Sequence, residues 1–312
     1  GVHGGPGDCG PTMRDLPTPT LPLSSLALRG RRRREGASIS SSSAALLNAP
    51  DAIQLPSQVL PASRVQPESA GHGIEVSWAR HQDEVRAAQR LRYEVFAGEM
   101  GARLSTPVAG HDIDLFDDFC EHLLVRDEAT REVIGTYRVL TPAQARRVGS
   151  TYSDTEFDLT RLRDLRERMV ELGRSCVHPG HRHGGVILAL WGALAGFMHR
   201  NRLDTMIGCA SIPMWHQGVT SGDAAASIWR QLSATHMAPI RYHVQPRLPL
   251  PVERLDSSLQ VEAPALIRGY LRLGAKVLGA PAWDPDFNTA DLPMLMRLED
   301  LPARYRRHFL GG

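Results

Sequence analysis

From residue 73 onward the chain switches repeatedly between two hydrophobic periods. Ile74, Val76 and Trp78 alternate with polar neighbours, which predicts a first strand. Val85, Ala88, Leu91, Val95 and Phe96 then recur at three- and four-residue spacings, which predicts a helix over Gln82 to Met100, with Arg86, Arg90 and Arg92 among its polar positions. A loop over Gly101 to Asp118 leads to strands at Glu121 to Arg126 and Glu132 to Leu140, joined as a hairpin by the charged turn Asp127 to Arg131. Thr141 to Asp164 reads as irregular with short helices, Met169 to Val177 as a strand, Val186 to Arg200 as a helix and Asp204 to Ser211 as another strand. Gly222 to Met237 is helical by the same rule, and Arg241 to Asp256 is a Pro-rich connection. A helix over Ala263 to Leu273 should stop at Gly274, followed by a strand near Met294 to Arg297 and a last helix near Pro302 to His308. No internal repeat is visible. Strands alternating with helices predict an α/β fold, a mixed central sheet with flanking helices, over residues 73 to 309.

The first 70 residues carry neither period. Pro, Ser, Gly and Ala dominate them, so they read as a disordered low-complexity tail. Leu21 to Leu28 precede the arginine run Arg31 to Arg34, the wrong order for a secretory signal, while that run would suit a peripheral contact with an anionic membrane surface. A solvated tail explains the same residues. Over the whole chain of 312 residues the net charge is only +2, which gives no nucleic-acid signature, and Lys276 is the sole lysine. Arginine suits bidentate phosphate or carboxylate contacts, although genomic composition bias gives the same count. Cys9, Cys120, Cys176 and Cys209 are too sparse for a disulfide framework and fit a cytoplasmic protein, and no apolar run is long enough to span a membrane.

Candidate chemistry concentrates where the strand Met169 to Val177 runs into the turn His178-Pro-Gly-His-Arg-His-Gly-Gly185 and then a helix. Gly180, Gly184 and Gly185 permit close backbone approach, the helix points unpaired N–H groups at the turn, and Arg182 adds a fixed charge. Such a turn makes an anion cradle, and a phosphate-bearing thiol carrier is its natural guest. His178, His181 and His183 do not add up to a metal site, because a Gly-rich turn lacks the defined presentation that metal ligands need, so none is expected. Cys176 beside His178 is chemically competent as a nucleophile, against the simpler role of a small core residue.

Together these residues carry a resemblance. Arg92-Tyr-Glu-Val-Phe96, Asp114-Leu-Phe-Asp117, Gly135-Thr-Tyr-Arg138 and Glu171-Leu-Gly-Arg174 are similar in order and type to the signature of acyl-homoserine-lactone synthases, a branch of the GCN5-related N-acetyltransferase (GNAT) fold. The later segments Gly269 to Ala275, Pro281 to Leu292 and Leu301 to Phe309 resemble the ornithine acyl-carrier-protein N-acyltransferases that make lyso-ornithine lipid. The resemblance covers residues 73 to 309.

It implies a sheet of the GNAT type and direct aminolysis of a thioester, with no permanently bound cofactor. The acyl donor would be phosphopantetheine-linked acyl carrier protein, held by Cys176, Val177, His178, Arg182, His183, Gly184 and Gly185. The acyl-CoA loop of the wider fold ends on a small residue where this chain has Ile187, and that departure favours a single phosphate over a nucleotide diphosphate. Glu171 would be the base that deprotonates the amine, unless it and Arg174 form a structural network with Arg138. Arg92, Phe96, Asp114, Asp117, Arg138 and Arg174 would line the acceptor site: the aspartates for the two ammonium groups of ornithine, an arginine for its carboxylate. A solvated acidic loop, or arginine pairing of the aspartates, is the competing reading. Alternatives in function are an acyl-homoserine-lactone synthase, an N-acyltransferase for glycine or lysine, and a regulator that binds acyl carrier protein without turnover.

Overall fold

The computed structural model describes residues 73–182 and 184–311. The expected tail over residues 1 to 70, with Arg31 to Arg34, and the cradle residue His183 lie outside the described residues.

Eight strands form the main sheet: β1 (Ile74–Trp78), β2 (Glu121–Asp127), β3 (Val133–Leu140), β4 (Met169–Val177), β5 (Thr205–Pro213), β6 (Lys276–Val277), β7 (Ala282–Asp284) and β8 (Thr289–Arg297). Their order is β1-β2-β3-β4-β5-β8-β6, with β7 also on β8; β4 and β5 are parallel and every other pair is antiparallel. The helices are α1 (Gln82–Tyr93), α2 (Pro142–Val148), α3 (Tyr152–Glu156), α4 (Gly184–Arg200), α5 (Asp223–Thr235), α6 (Ala265–Arg272) and α7 (Ala303–Leu310). This is a mixed α/β sheet with flanking helices, as the alternation of strands and helices predicts. None of these helices is long and apolar enough to cross a membrane.

Packing follows from alternation along the strands. Leu123, Val125, Tyr137, Val139 and Val170 meet Leu190, Trp191, Leu194 and Met198 of α4 on one face, and α7 closes that core through Tyr305. Farther along the sheet Ala210, Ile212, Leu292 and Met294 pack against α5 and α6. The opposite face carries α1, α3 and a 3-10 segment at Thr160–Arg168, with Phe157, Leu162, Met169, Ile207 and Leu295 buried together.

Two expectations change. The helix expected over Gln82 to Met100 is α-helical only to Tyr93, and Glu94–Glu99 form a widened π turn. The strand expected at Met294 to Arg297 begins at Thr289, because Pro293 reads as a breaker in sequence but is tolerated here. Its carbonyl accepts from Leu278 N, so its nitrogen faces the same edge, between the end of β7 and the start of β6, where no ladder pair needs an N–H.

Candidate active site

The site is built on a fork between two strands. β4 and β5 pair through Met169, Val170 and Glu171 and then part, so β4 continues beside β3 and β5 beside β8. At the fork the strands nearly touch: a Cβ on Gly208 would lie 2.6 Å from the Leu172 carbonyl oxygen, which explains glycine there. Beyond it, Arg174 takes φ +51° and, with Ser175, stands opposite the single residue Tyr137 in a β-bulge. Such bulges re-aim side chains and leave backbone groups unpaired, here in the open mouth of the fork.

Arg92, Arg138 and Arg174 meet Asp112, Asp114 and Asp117 beside that mouth. Arg92 Nε donates to Asp112 and its Nη1 to Asp117, both at 2.8 Å. Arg138 reaches Asp114 at 2.6 Å and Asp117 at 3.1 Å. Arg174 lies 3.1 Å from Asp112 and 3.2 Å from Asp114. Three positive and three negative charges therefore balance. Burial opposes ionisation of Asp114 and Asp117, but the arginines outweigh it and hold both carboxyls below the usual range. The residues gathered from the sequence as substrate contacts come together as expected, yet they spend their charge on one another. This corresponds to the competing reading in which the aspartates pair with arginine. Phe96 is buried with Leu91, Val95, Ala102 and Cys176, and its ring meets Phe287 edge-on with centroids 5.8 Å apart, so it forms an apolar wall.

Glu171 stands at the last paired position of the fork. Its carboxylate accepts the backbone N–H groups of Tyr152 at 2.8 Å and Ser153 at 2.6 Å, the first turn of α3. Burial raises its pKa against the pull of those hydrogen bonds. Arg138, the partner considered from sequence, is occupied by Asp114 and Asp117 instead. Cys176 is buried, and burial pushes its thiol up to about 12, so a thiolate nucleophile is not available at neutral pH.

Where β4 enters α4, the turn is held by its own residues. His178 Nδ1 accepts from Gly180 N at 3.1 Å, and Val177 O accepts from Arg182 Nε at 3.0 Å. The Arg182 guanidinium is bound at 2.9 and 3.0 Å by Glu99 of the π turn, which sequence spacing did not anticipate. Arg182 thus ties the turn to the end of the first helix. α4 begins at Gly184, and the first backbone N–H groups of a helix have no partner within it. Alongside runs a groove of about 580 Å³ of mixed charge, with Arg90, Arg126 and Arg131 but also Asp83, Glu84, Glu94 and Glu132 in its wall, next to His178 and His181.

Sequence reasoning missed a second acidic group. Glu156, Asp284 and Asp291 each place a carboxylate oxygen within 4.8 Å of the others. An aspartate inside an apolar strand was the available signal, obscured because the strand was expected only from Met294.

A family model for the acetyltransferase (GNAT) domain matches residues 91–192. The L-ornithine N(alpha)-acyltransferase of Rhodobacter capsulatus is 35% identical over 245 residues, 75% of this chain and 94% of that protein. The L-ornithine N(alpha)-acyltransferase of Brucella abortus is 34% identical over 253 residues, 76% of this chain and 88% of that one. A crystal structure of the AHL synthase LasI covers 78% of this chain and 97% of its own at 15% identity and a TM-score of 0.44. With identity of this order sustained along nearly the whole of those curated relatives, the chain belongs to the L-ornithine N(alpha)-acyltransferase family.

Proposed function

We propose that the protein transfers an acyl group from the phosphopantetheine thioester of acyl carrier protein to the α-amine of L-ornithine, by direct aminolysis. The observation that carries the acceptor is the family relationship to proteins named for that reaction. The fork supplies the stage: the amine approaches the acyl carbonyl in its mouth, a free backbone N–H near the Arg174 bulge supports the oxyanion, the N–C bond forms and the C–S bond breaks. One proton of the ammonium passes to Glu171 before attack, directly or through water, and the second proton that the nitrogen sheds after attack is taken up by the departing thiolate. A covalent acyl-enzyme has no support from Cys176, whose thiol stays protonated.

Two features support a carrier protein as donor over a free nucleotide. Ile187 stands where a diphosphate-binding loop wants a small residue, and Arg182 is neutralised by Glu99, which leaves the α4 N-terminus and neighbouring imidazoles for one phosphate. Incubation with 3-hydroxyacyl-acyl carrier protein and with the matching acyl-CoA, each with ornithine, lysine, glycine or S-adenosylmethionine, tests both halves. The expected product by mass is N(α)-acylornithine from the carrier-protein donor. A lactone from S-adenosylmethionine, or no product with any amine, would overturn the reading.

A further inference from the structure

Charge is balanced on one side of the fork and not on the other. The three aspartates at residues 112, 114 and 117 are matched by three arginines, but among the described residues no arginine or lysine pairs with Glu156, Asp284 or Asp291. Their contacts are neutral. Thr289 Oγ1 donates to Asp291 at 2.9 Å, and the Tyr152 hydroxyl lies 3.5 Å from both Glu156 and Asp284. Asp284 also accepts the backbone N–H groups of Asp286 and Phe287 at 3.0 Å. Glu156 Oε2 is buried without a donor in good geometry, and its side chain otherwise meets only the Cys209 thiol and the carboxyl of Asp291. A buried carboxylate oxygen without a donor is costly, and three carboxylates this close repel unless a cation or a proton intervenes.

Resting on the ornithine reading above, we propose that Glu156, Asp284 and Asp291 form the pocket for the second, side-chain ammonium of the amino-acid acceptor. An ammonium has three donors to offer, matching three acceptors and filling the vacancy at Glu156 Oε2. Magnesium or calcium would need about six or more oxygens, and three carboxylates supply a poor share of that shell.

The position suits the chemistry. The N-terminus of α3 is pinned at the fork by Glu171, and Glu156 is its last residue. Four residues of helix rise about 6 Å, comparable to the span between the two nitrogens of a four-carbon diamine. An acceptor with its α-amine at the fork therefore reaches the acidic pocket with its side chain along α3. Tyr152 lies beside that path, and Arg174 stacks over its ring with the guanidinium 5.0 Å from the centroid. The sheet agrees: Asp291 alternates with the core residues Ala290 and Leu292, so it projects on the face that carries α3.

The test compares ornithine with norvaline, the same amino acid without its side-chain amine, in the full-length protein. Glu156→Gln and Asp284→Asn should each lower the ornithine-to-norvaline ratio of kcat/KM by about ten- to a hundredfold. Equal losses on both acceptors would overturn the proposal. A measurement on the unaltered protein covers the case in which these variants fold poorly: 1,4-diaminobutane should raise the melting temperature and compete with ornithine, and n-butylamine should do neither. Equal effects of the two amines, or stabilisation by magnesium or calcium that abolishes the diamine effect, would also overturn it. A protein stabilised by the diamine that acylates norvaline in preference to ornithine would instead refute the ornithine reading and leave the cation pocket standing.

Discussion

Glu171 joins two roles that its substitution can separate. As the acceptor for Tyr152 and Ser153 it orders α3, and as a carboxylate at the fork whose pKa burial has raised it is placed to take a proton. A base works only when ionised, so kcat/KM should rise with pH through a value above the ordinary glutamate pKa of about 4.3. Glu171→Gln should remove that acid limb and lower turnover at least about a hundredfold. A lower melting temperature with an unchanged pH profile would assign Glu171 to ordering α3 alone. Asp117 makes a contrasting case. It faces two buried guanidiniums, and Asp117→Asn leaves them undercompensated, at a cost of about 3–5 kcal/mol in stability. Its activity loss should fall equally on ornithine and norvaline, which paired substrate titrations would check. The sequence brought Arg92, Arg138, Arg174, Asp114 and Asp117 into one group through a motif order, but whether they face a substrate or one another depends on distances of a few ångströms between remote segments.

At the level of elements, β4, the β2–β3 hairpin and α4 were legible because each is an apolar run bounded by a charged or Gly-rich turn. The π turn at Glu94–Glu99 was not, since a widened turn leaves nearly the same apolar spacing as an α-helical one. That turn matters for the cradle because it delivers Glu99 to Arg182. Arg182→Ala should therefore raise the apparent KM for the acyl donor by loosening the turn, not by removing a free charge. The effect should be nearly the same at low and high salt, where an unpaired arginine on phosphate would lose its advantage as screening grows. Strong salt dependence of the difference between the variant and the unaltered protein would return Arg182 to direct phosphate contact.

The whole molecule couples opposed electrostatic groups to stability. Burial works against ionisation of Asp114 and Asp117, but their arginines keep both pKa values low, so unfolding takes up protons near the ordinary aspartate pKa of about 3.9. Their contribution is complete above that value and is lost as pH falls. Burial first, and then neighbouring carboxylates, raise Glu156 and Asp291, so folding favours their protonated forms. Their contribution is present at low pH and is lost as pH rises through the raised values. Glu156→Gln, which removes one titrating charge, should therefore raise the melting temperature more at pH 8 than at pH 4.5, as calorimetry across that range would show. An equal change at both values would mean that Glu156 titrates like an exposed carboxylate. By itself the sequence determined the mixed sheet, the strand-to-helix cradle and the family signature, because these rest on local periodicity and on residues close together along the chain. Only the tertiary structure decided which charges are spent internally and which are left over. Glu156 comes from a short helix, and Asp284 and Asp291 from two neighbouring strands more than a hundred residues farther along the chain, and the fold alone brings the three together.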